Sequence, residues 1–261
     1  MLEEFLSYLK ASFSGSRPLL LVSGGLDSTV LSYCFKQAGL KFAIFYGDSA
    51  IRPFRFKSTV EQLAHQLKVP LKICKTDELL LKEFLINPEK RCYHCKRILL
   101  TTAKKVLESE GYTTLVDGTN KDDLKDYRPG MHALKEFNVM SPLLTYGLGK
   151  SEIIYLRDEL GIDIAAEATT CLATRFIDRN KAVDPALFKY LEETEFFLSS
   201  LGFKNVRLRV LKGKLLVQVN SDQVGSLSEV KKLIKYPLGY TLEVDPYGYR
   251  SAGLMLTGKE L

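Results

Sequence analysis

Residues 19–28 read LLLVSGGLDS, and this stretch decides the fold. The apolar run Leu19–Val22 is typical of a buried parallel strand, and a helix is predicted after the glycines, over residues 27–38. Two glycines let backbone N–H groups converge on an anion, and the start of a helix adds further N–H groups and a positive dipole end. Ser23 and Ser28 add hydroxyl donors. The stretch therefore predicts a pyrophosphate-binding loop, without the lysine of a Walker A loop. A turn that only joins strand to helix is the alternative.

An alternating pattern of strands and helices surrounds this loop. Strands are predicted over residues 19–22, 41–46, 69–74 and 113–116, and helices over 1–11, 27–38, 54–67, 98–110 and 151–160, the last capped by Ser151. This alternation predicts the α/β class, with a doubly wound parallel sheet. After about residue 178, a helix at 184–201, a hairpin of 206–210 and 215–219, a helix at 224–235 and a strand at 241–244 predict a smaller α+β domain. We therefore predict two domains, residues 1–178 and 179–261.

The composition is that of a globular protein. The 261 residues are 46% hydrophobic and 26% charged, enough for one large domain or two modest ones. A net charge of +6 suits a partner with phosphates but is too small and too dispersed to indicate nucleic acid. Apolar runs fall far short of the ~20 residues of a membrane helix, and the N-terminus lacks a basic region followed by an apolar one. We therefore expect a cytoplasmic protein with no membrane partner.

Five cysteines in a chain without a recognisable secretion signal indicate free thiols or a metal site rather than disulfides. Cys34 and Cys74 lie in apolar segments and are predicted to be buried structural thiols. Cys92 and Cys95 form a CxxC pair in RCYHCK, and Cys171 lies in TTCLATR. An inert pair, a redox disulfide and a zinc site are alternatives for the pair. A CxxC with one distant cysteine better matches the ligand count of a [4Fe–4S] cluster with one open iron.

A polar string follows the fourth predicted strand. Residues 117–130 read DGTNKDDLKDYRPG, and in a parallel sheet this loop lies at the same edge as the glycine loop. Asp117 and Gly118 are candidate contacts to the nucleotide or to Mg²⁺, and Arg128 could hold a phosphate or carboxylate. Asp48, at the end of the second strand, lies where such folds bind adenine and ribose. A solvated polar loop is the alternative for residues 117–130.

These motifs together resemble those of the PP-loop ATP pyrophosphatases, and among them the LarE family of ATP-dependent sulfur transferases (pyridinium-3,5-bisthiocarboxylic acid mononucleotide synthases). SGGLDS, RCYHCK, DGTNKDDLKDYRPG, MSPL and CLATR carry the resemblance over roughly residues 18–178, and it continues more weakly beyond. The resemblance implies that ATP adenylates the carboxylates of pyridinium-3,5-biscarboxylic acid mononucleotide, and that sulfur then displaces AMP. By the same resemblance, the thiocarboxylate product is expected to serve nickel-pincer nucleotide biosynthesis. The candidate ATP and Mg²⁺ contacts are therefore Ser23, Gly24, Gly25, Asp27, Ser28, Asp48, Asp117, Gly118 and Arg128. The resemblance implies that Asp27 helps to hold Mg²⁺.

The source of the sulfur divides this family. In one branch a cysteine that matches Cys171 forms a thioester, gives up its own sulfur and is left as dehydroalanine. In the other branch three cysteines hold a [4Fe–4S] cluster, which delivers an extra sulfide. Since Cys92, Cys95 and Cys171 are all present, the resemblance favours the cluster branch, with sulfide or another sulfur donor as a partner.

The resemblance also assigns roles in the smaller domain. Glu195 matches a glutamate near the sulfur-bearing cysteine, and Arg175 and Arg207 are implied to bind the substrate phosphate or carboxylate. A homo-oligomer, a hexamer in this family, is implied as the assembly. Two departures bear on the substrate contacts: residues 176–179 read FIDR where the family often has an IPYG-like stretch, and Gln218 stands where an acidic residue is common.

Three other functions fit part of the pattern. A tRNA thiolase also combines a phosphate loop with three cysteines, but such enzymes usually carry stronger basic patches or an RNA-binding module. An ammonia-fed amidating enzyme would not need the cysteines. A non-catalytic nucleotide sensor would bind ATP without releasing pyrophosphate. The sequence thus predicts an ATP-dependent sulfur transferase, and nucleic acid is not expected as its partner.

Overall fold

The computed structural model describes residues 1–86, 88–125, 129–163 and 170–250. Arg128, one of the predicted nucleotide contacts, lies outside the described residues. The chain forms two compact units, the first comprising Met1–Glu78 and Lys90–Thr169, the second Leu79–Glu89 and Thr170–Leu261. The predicted division into domains of residues 1–178 and 179–261 stays a prediction.

The first unit is built on a parallel sheet. Its four strands, β1 (Pro18–Leu21), β2 (Ala43–Asp48), β3 (Leu71–Lys75) and β4 (Thr114–Asp117), lie in the order β3-β2-β1-β4. The helices up to residue 163 are α1 (Leu2–Phe13), α2 (Leu26–Gln37), α3 (Arg55–Leu67), α4 (Lys82–Leu85, in the second unit), α5 (Arg91–Glu110), α6 (Gly130–Glu136), α7 (Pro142–Tyr146) and α8 (Lys150–Glu159). The predicted α/β class is confirmed.

Successive side chains of the central strand β1 point to opposite faces of the sheet. Leu20 and the following Val22 join a core with buried residues of α1, α2, α3 and α8. Leu19 and Leu21 pack on the other face against α5 and α6. Helices therefore cover both faces, which confirms the doubly wound arrangement and explains why the strand is apolar without alternation.

Three local predictions are wrong. The helix predicted from residue 98 begins at Arg91, because nothing between these positions breaks a helix, although its first turns lack an apolar stripe. Ser151 does not cap α8: the N-cap is Gly149, whose backbone N–H donates to Glu152 Oε2 at 2.8 Å. Cys74 is only half-buried, because β3 is an edge strand of the sheet.

The second unit contains a mixed three-stranded sheet. Strands β5 (Arg207–Leu211) and β6 (Lys214–Gln218) form the predicted antiparallel hairpin, and β7 (Thr241–Val244) runs parallel to β6. The hairpin turns through Lys212 and Gly213, with φ of 50° and 76°, as a tight two-residue turn requires. Helix α9 (Leu187–Ser200) matches its prediction, whereas α10 (Val224–Val230) is shorter and is followed by the 3₁₀ turn Lys231–Leu233. No helix in the described ranges is long and apolar enough to cross a membrane.

Candidate functional site

The predicted phosphate loop curls at the carboxyl end of β1. Gly24 adopts φ of 84°, which favours glycine. The Gly25 N–H donates to Ser23 Oγ at 3.3 Å, and Ser28 Oγ donates to the Gly25 carbonyl at 3.2 Å. No described side chain caps α2, so the N–H groups of its first turn remain available to an anion. The loop can therefore hold phosphate, with both serine hydroxyls on the same side, 3.3 Å apart.

Gly118 brings the loop after β4 against this phosphate loop. A Cβ at residue 118 would lie 2.9 Å from the Ser28 backbone nitrogen and 3.0 Å from its Cα. Such distances are too short for any side chain, so a glycine is required for the close approach. Gly118 therefore shapes the neighbourhood of the phosphate loop, and its direct contact with nucleotide stays a prediction.

Asp27, predicted to help hold Mg²⁺, forms an ion pair that the sequence did not reveal. Lys150 Nζ lies 2.6 and 2.8 Å from the two Asp27 oxygens, and Asn120 Nδ2 donates to Oδ2 at 3.1 Å. Lys150 is the first residue of α8 and brings to this site the cation that the loop itself lacks. Carboxylate oxygens are ligands that Mg²⁺ prefers, but Lys150 engages both oxygens of Asp27, so its role in holding Mg²⁺ stays a prediction.

Asp117 is buried, and its carboxylate is fully engaged by the chain. Oδ1 accepts from the Thr119 N–H at 3.2 Å and from Ser141 Oγ at 2.7 Å. Oδ2 accepts from Thr119 Oγ1 at 2.8 Å and from Lys96 Nζ at 3.5 Å. In this arrangement Asp117 orders the loop after β4, and its predicted contact with nucleotide or Mg²⁺ stays a prediction.

Asp48 lies at the carboxyl end of β2, the edge that also carries the phosphate loop. Its Oδ2 is 2.8 Å from Lys57 Nζ at the start of α3. The hydrogen bond and charge of Asp48 raise the pKa of Lys57 above its usual value. Lys57 therefore stays cationic beside the position predicted for adenine and ribose.

The CxxC pair lies in the first turns of α5, on one face of the helix. Cys92 is exposed, whereas Cys95 is half-buried and its thiol donates to Glu78 Oε1 at 3.7 Å. Two thiols at this spacing fit a soft metal or an iron–sulfur cluster as partial ligands. Within each unit, the described residues bring no three His, Cys, Asp or Glu side chains together as a metal site. Cys34 is buried as predicted, and this burial raises the pKa of its thiol to about 12.

Cys171 sits in a loop of the second unit that Arg175 organises. Arg175 is 1% exposed and binds Glu195 through two parallel hydrogen bonds, Nε–Oε1 at 2.8 Å and Nη2–Oε2 at 2.7 Å. Its Nη1 donates to Thr170 Oγ1 at 2.7 Å and to the carbonyl of Cys171 at 3.3 Å. Glu195 also accepts from the Leu208 N–H of β5 at 2.8 Å. Arg175 thus connects Glu195 to the Cys171 loop by hydrogen bonds to both. The predicted contact of Arg175 with the substrate stays a prediction.

Two further arginines on β5 concentrate positive charge in the same unit. Arg207, a predicted substrate contact, stacks over the Tyr249 ring at 5.5 Å. Arg209 is 2% exposed and donates only to neutral acceptors among the described residues, including Gln218 Oε1 at 3.2 Å and the Thr174 carbonyl at 2.9 Å. Burial, followed by the charges of Arg175 and Arg207, lowers the pKa of Arg209 to about 10, so it is charged at neutral pH. The alternation of Arg207 and Arg209 on β5 is the sequence signal for Arg209, which was not among the predicted site residues.

The family model described as Thiamine biosynthesis protein (ThiI) matches residues 13–183, more than half of the chain. The chain belongs to the ThiI family. It is similar to an uncharacterized protein of Methanocaldococcus jannaschii, with 31% identity over 227 residues and 87% of each chain covered.

Relatives with named activities include a synthase and a tRNA sulfurtransferase. The pyridinium-3,5-bisthiocarboxylic acid mononucleotide synthase of Lactiplantibacillus plantarum is 24% identical over 212 residues, which cover 80% of this chain and 76% of that protein. A probable tRNA sulfurtransferase of Methanobrevibacter smithii is 29% identical over 182 residues, which cover 61% of this chain and 46% of that protein. The predicted resemblance to PP-loop sulfur transferases is therefore confirmed.

Proposed function

We propose that this ThiI-family protein is an ATP-dependent sulfur transferase that activates a carboxylate by adenylation and replaces one of its oxygens by sulfur. The observation that carries the proposal is the Cys171 loop, held in one conformation by Arg175 and Glu195, in a chain that also has a phosphate loop. The substrate we propose is pyridinium-3,5-biscarboxylic acid mononucleotide, because the synthase named above is a relative over most of the chain.

The first step belongs to the first unit. The N–H groups of the phosphate loop and of the α2 N-terminus bind the phosphates of ATP, and Lys150 adds a positive charge beside them. The substrate carboxylate attacks the α-phosphorus, the bond to the β-phosphate oxygen breaks, and pyrophosphate leaves. Asp27 would help hold Mg²⁺, which neutralises the leaving pyrophosphate when bound. The product is an acyl adenylate, whose AMP is a good leaving group.

The second step belongs to the cysteines. Sulfur attacks the activated carbonyl carbon, and the bond to AMP breaks. A [4Fe–4S] cluster held by Cys92, Cys95 and Cys171 would supply a sulfide at its open iron, so that the protein is not consumed. If Cys171 alone is the donor, its thiolate displaces AMP to form a thioester. Elimination then removes the Cys171 α-proton and breaks its Cβ–S bond, so that the thiocarboxylate leaves and the residue becomes dehydroalanine. In both cases Arg175 fixes the Cys171 backbone, and Arg207 and Arg209 attract the anionic substrate.

The decisive experiment measures iron, sulfide and protein mass. The full chain is purified without oxygen, and its intact mass is recorded after reaction with ATP and the pyridinium dicarboxylate. About four irons per chain, lost in Cys92→Ala and Cys171→Ala but kept in Cys74→Ala, support the cluster. An iron-free chain whose Cys171 loses the mass of hydrogen sulfide would contradict the cluster and support single use. Absence of pyrophosphate release would contradict adenylation itself.

tRNA thiolation is the second candidate function, because a probable tRNA sulfurtransferase is among the relatives. It predicts that tRNA co-purifies with the protein and stimulates pyrophosphate release, and that thiolated nucleosides appear after reaction with ATP and a sulfur donor. The dicarboxylate substrate would then be inert. The same pyrophosphate assay, run with tRNA in one arm and the dicarboxylate in the other, separates the two functions. The assembly we propose for the sulfur transferase is a homo-oligomer, a hexamer by family resemblance.

A further inference from the structure

Glu78 is a buried carboxyl group that the proposed reaction does not use. It opens the short 3₁₀ turn Glu78–Leu80 after β3 and is 0% exposed. A carboxylate without a cation is costly inside a protein, yet among the described residues Glu78 forms no ion pair. Its hydrogen-bond donors are neutral: Ser49 Oγ at 2.5 Å from Oε2, and Cys95 Sγ at 3.7 Å from Oε1. Packing alone does not account for a buried carboxyl group that has only neutral hydrogen-bond donors in the described part of the chain, which indicates a role for its contacts with Ser49 and Cys95.

The approach of α5 to this carboxyl group is built into the sheet. Gly47 in β2 has no side chain, and a Cβ there would collide with Leu99 Cδ1 of α5. Leu99 lies one turn after Cys95 on the same face of the helix. Gly47 therefore allows this face of α5 to pack against the end of β2, where the Cys95 thiol forms its hydrogen bond with Glu78.

The other side of Glu78 faces the nucleotide edge of the sheet. Ser49 directly follows Asp48, the residue predicted near adenine and ribose. The Ile51 N–H donates to Ser49 Oγ at 3.4 Å, so the serine hydroxyl proton is directed to Glu78. Thr76, two residues before Glu78, donates its backbone N–H to the Asp48 carbonyl at 2.9 Å. Glu78 is thus fixed to the end of β2 by both its backbone segment and its side chain.

We propose that Glu78 is a positioning residue, which accepts the Cys95 thiol hydrogen bond and holds that sulfur toward the nucleotide edge of the sheet. In the metal-free chain, before Cys95 gives up its proton to a metal, this hydrogen bond fixes the rotamer of the thiol, as supporting hydrogen bonds do at ligand sites. The importance of Cys95 rests on the proposed function. The orientation of its thiol does not, since it depends only on contacts within the first unit.

The test compares thiol behaviour in the reduced full chain after chelation of metals. In Glu78→Gln the amide oxygen can still accept the hydrogen bond from Ser49 Oγ. The amide NH₂ group then takes the place of Oε1, the oxygen that accepts from the Cys95 thiol. Glu108→Gln, on the exposed side of α5, is the matched control. We expect the alkylation rate of Cys95, followed by peptide mass spectrometry, to rise about tenfold in Glu78→Gln and to stay unchanged in Glu108→Gln. Buried Cys34 should stay unreactive in both.

An infrared measurement separates positioning from general loosening. The S–H stretching band of Cys95, assigned by its loss in Cys95→Ala, should move to higher frequency in Glu78→Gln because the thiol loses a carboxylate acceptor. Ser49→Ala, a second variant, should raise the Cys95 alkylation rate by about twofold or more without reaching the Glu78→Gln rate. An unchanged band and rate in Glu78→Gln, or a parallel rise in Cys34 alkylation, would overturn the proposal. Neither readout needs ATP or iron, so failure here is distinct from failure of the proposed function.

Discussion

Replacing Glu195 by alanine should destabilise the second unit strongly. The carboxylate is 12% exposed and its partner Arg175 is 1% exposed, so the pair is shielded from water. Removing one member leaves a buried guanidinium without its counter-charge, which costs about 3–5 kcal/mol. The change also removes the acceptor of the Leu208 N–H on β5. At about 2–4 °C per kcal/mol for a chain of 150–250 residues, the melting temperature should fall by at least ~6 °C.

The matched control lies on the same helix. Glu193 pairs with Lys189 one turn away at 3.7 Å, with the side chains 63% and 84% exposed. An exposed pair of this kind contributes little, so Glu193→Ala should lower the melting temperature by less than about 2 °C. Thermal unfolding is followed by circular dichroism at one protein concentration for wild type and both variants.

A second readout links stability to the Cys171 loop. Arg175 holds the Cys171 carbonyl only while Glu195 fixes its guanidinium, so Glu195→Ala should also speed the alkylation of Cys171. If both variants shift the melting temperature equally, the buried pair does not hold the unit together. If the melting temperature falls but Cys171 alkylation is unchanged, Arg175 does not organise the loop.

Three further predictions concern the first unit. Lys150→Met should lower kcat/KM for ATP by about 10- to 100-fold, because it removes the cation beside Asp27. An equal loss in Lys105→Met, which changes an exposed lysine of α5, would contradict this. Gly118→Ala should push the loop after β4 away from α2 and reduce pyrophosphate release by about 10- to 100-fold; an active variant with ordinary KM would contradict the close approach. The hydrogen bond from the Gly149 N–H lowers the pKa of Glu152 below its usual 4.5. The ionised Glu152 therefore stabilises the folded chain above pH 4.5, and this contribution is lost as the pH falls through the lowered pKa. The difference in melting temperature between wild type and Glu152→Gln should therefore shrink in acid, and a difference independent of pH would refute it.

Local sequence signals predicted the elements that depend on local chemistry. The run from Leu19 to Ser28 specified a buried strand, a glycine turn and a helix start, and all three are present. The hairpin around Gly213 followed from alternation and a tight turn. The start of α5 was not predicted, because RCYHCK has helix-compatible residues but no apolar periodicity.

Contacts between distant residues could not be predicted in this way. Lys150 and Asp27 are 123 residues apart, and only the packing of α8 beside α2 brings them together. Glu78 was not among the predicted site residues, because nothing in the sequence around it indicates burial. Arg175 was predicted as a substrate contact, yet the structure shows its donors directed to Glu195 and the Cys171 loop. Residue type alone does not distinguish an arginine that binds ligand from one that orders a loop.

The departure at Gln218 has a physical explanation in the second unit. Gln218 Oε1 accepts from Arg209 at 3.2 Å, and Gln218 Nε2 donates to Asp245 Oδ2 at 2.7 Å. Asp245 also accepts from Arg250 at 2.7 Å and is 0% exposed. A glutamate at position 218 would set two carboxylates at hydrogen-bond distance in a buried site, which favours protonation of one of them. Glutamine avoids this conflict and leaves Arg209 facing a neutral acceptor. The substitution therefore keeps the hydrogen bonds to Arg209 and Asp245 without placing a second carboxyl group in this buried site.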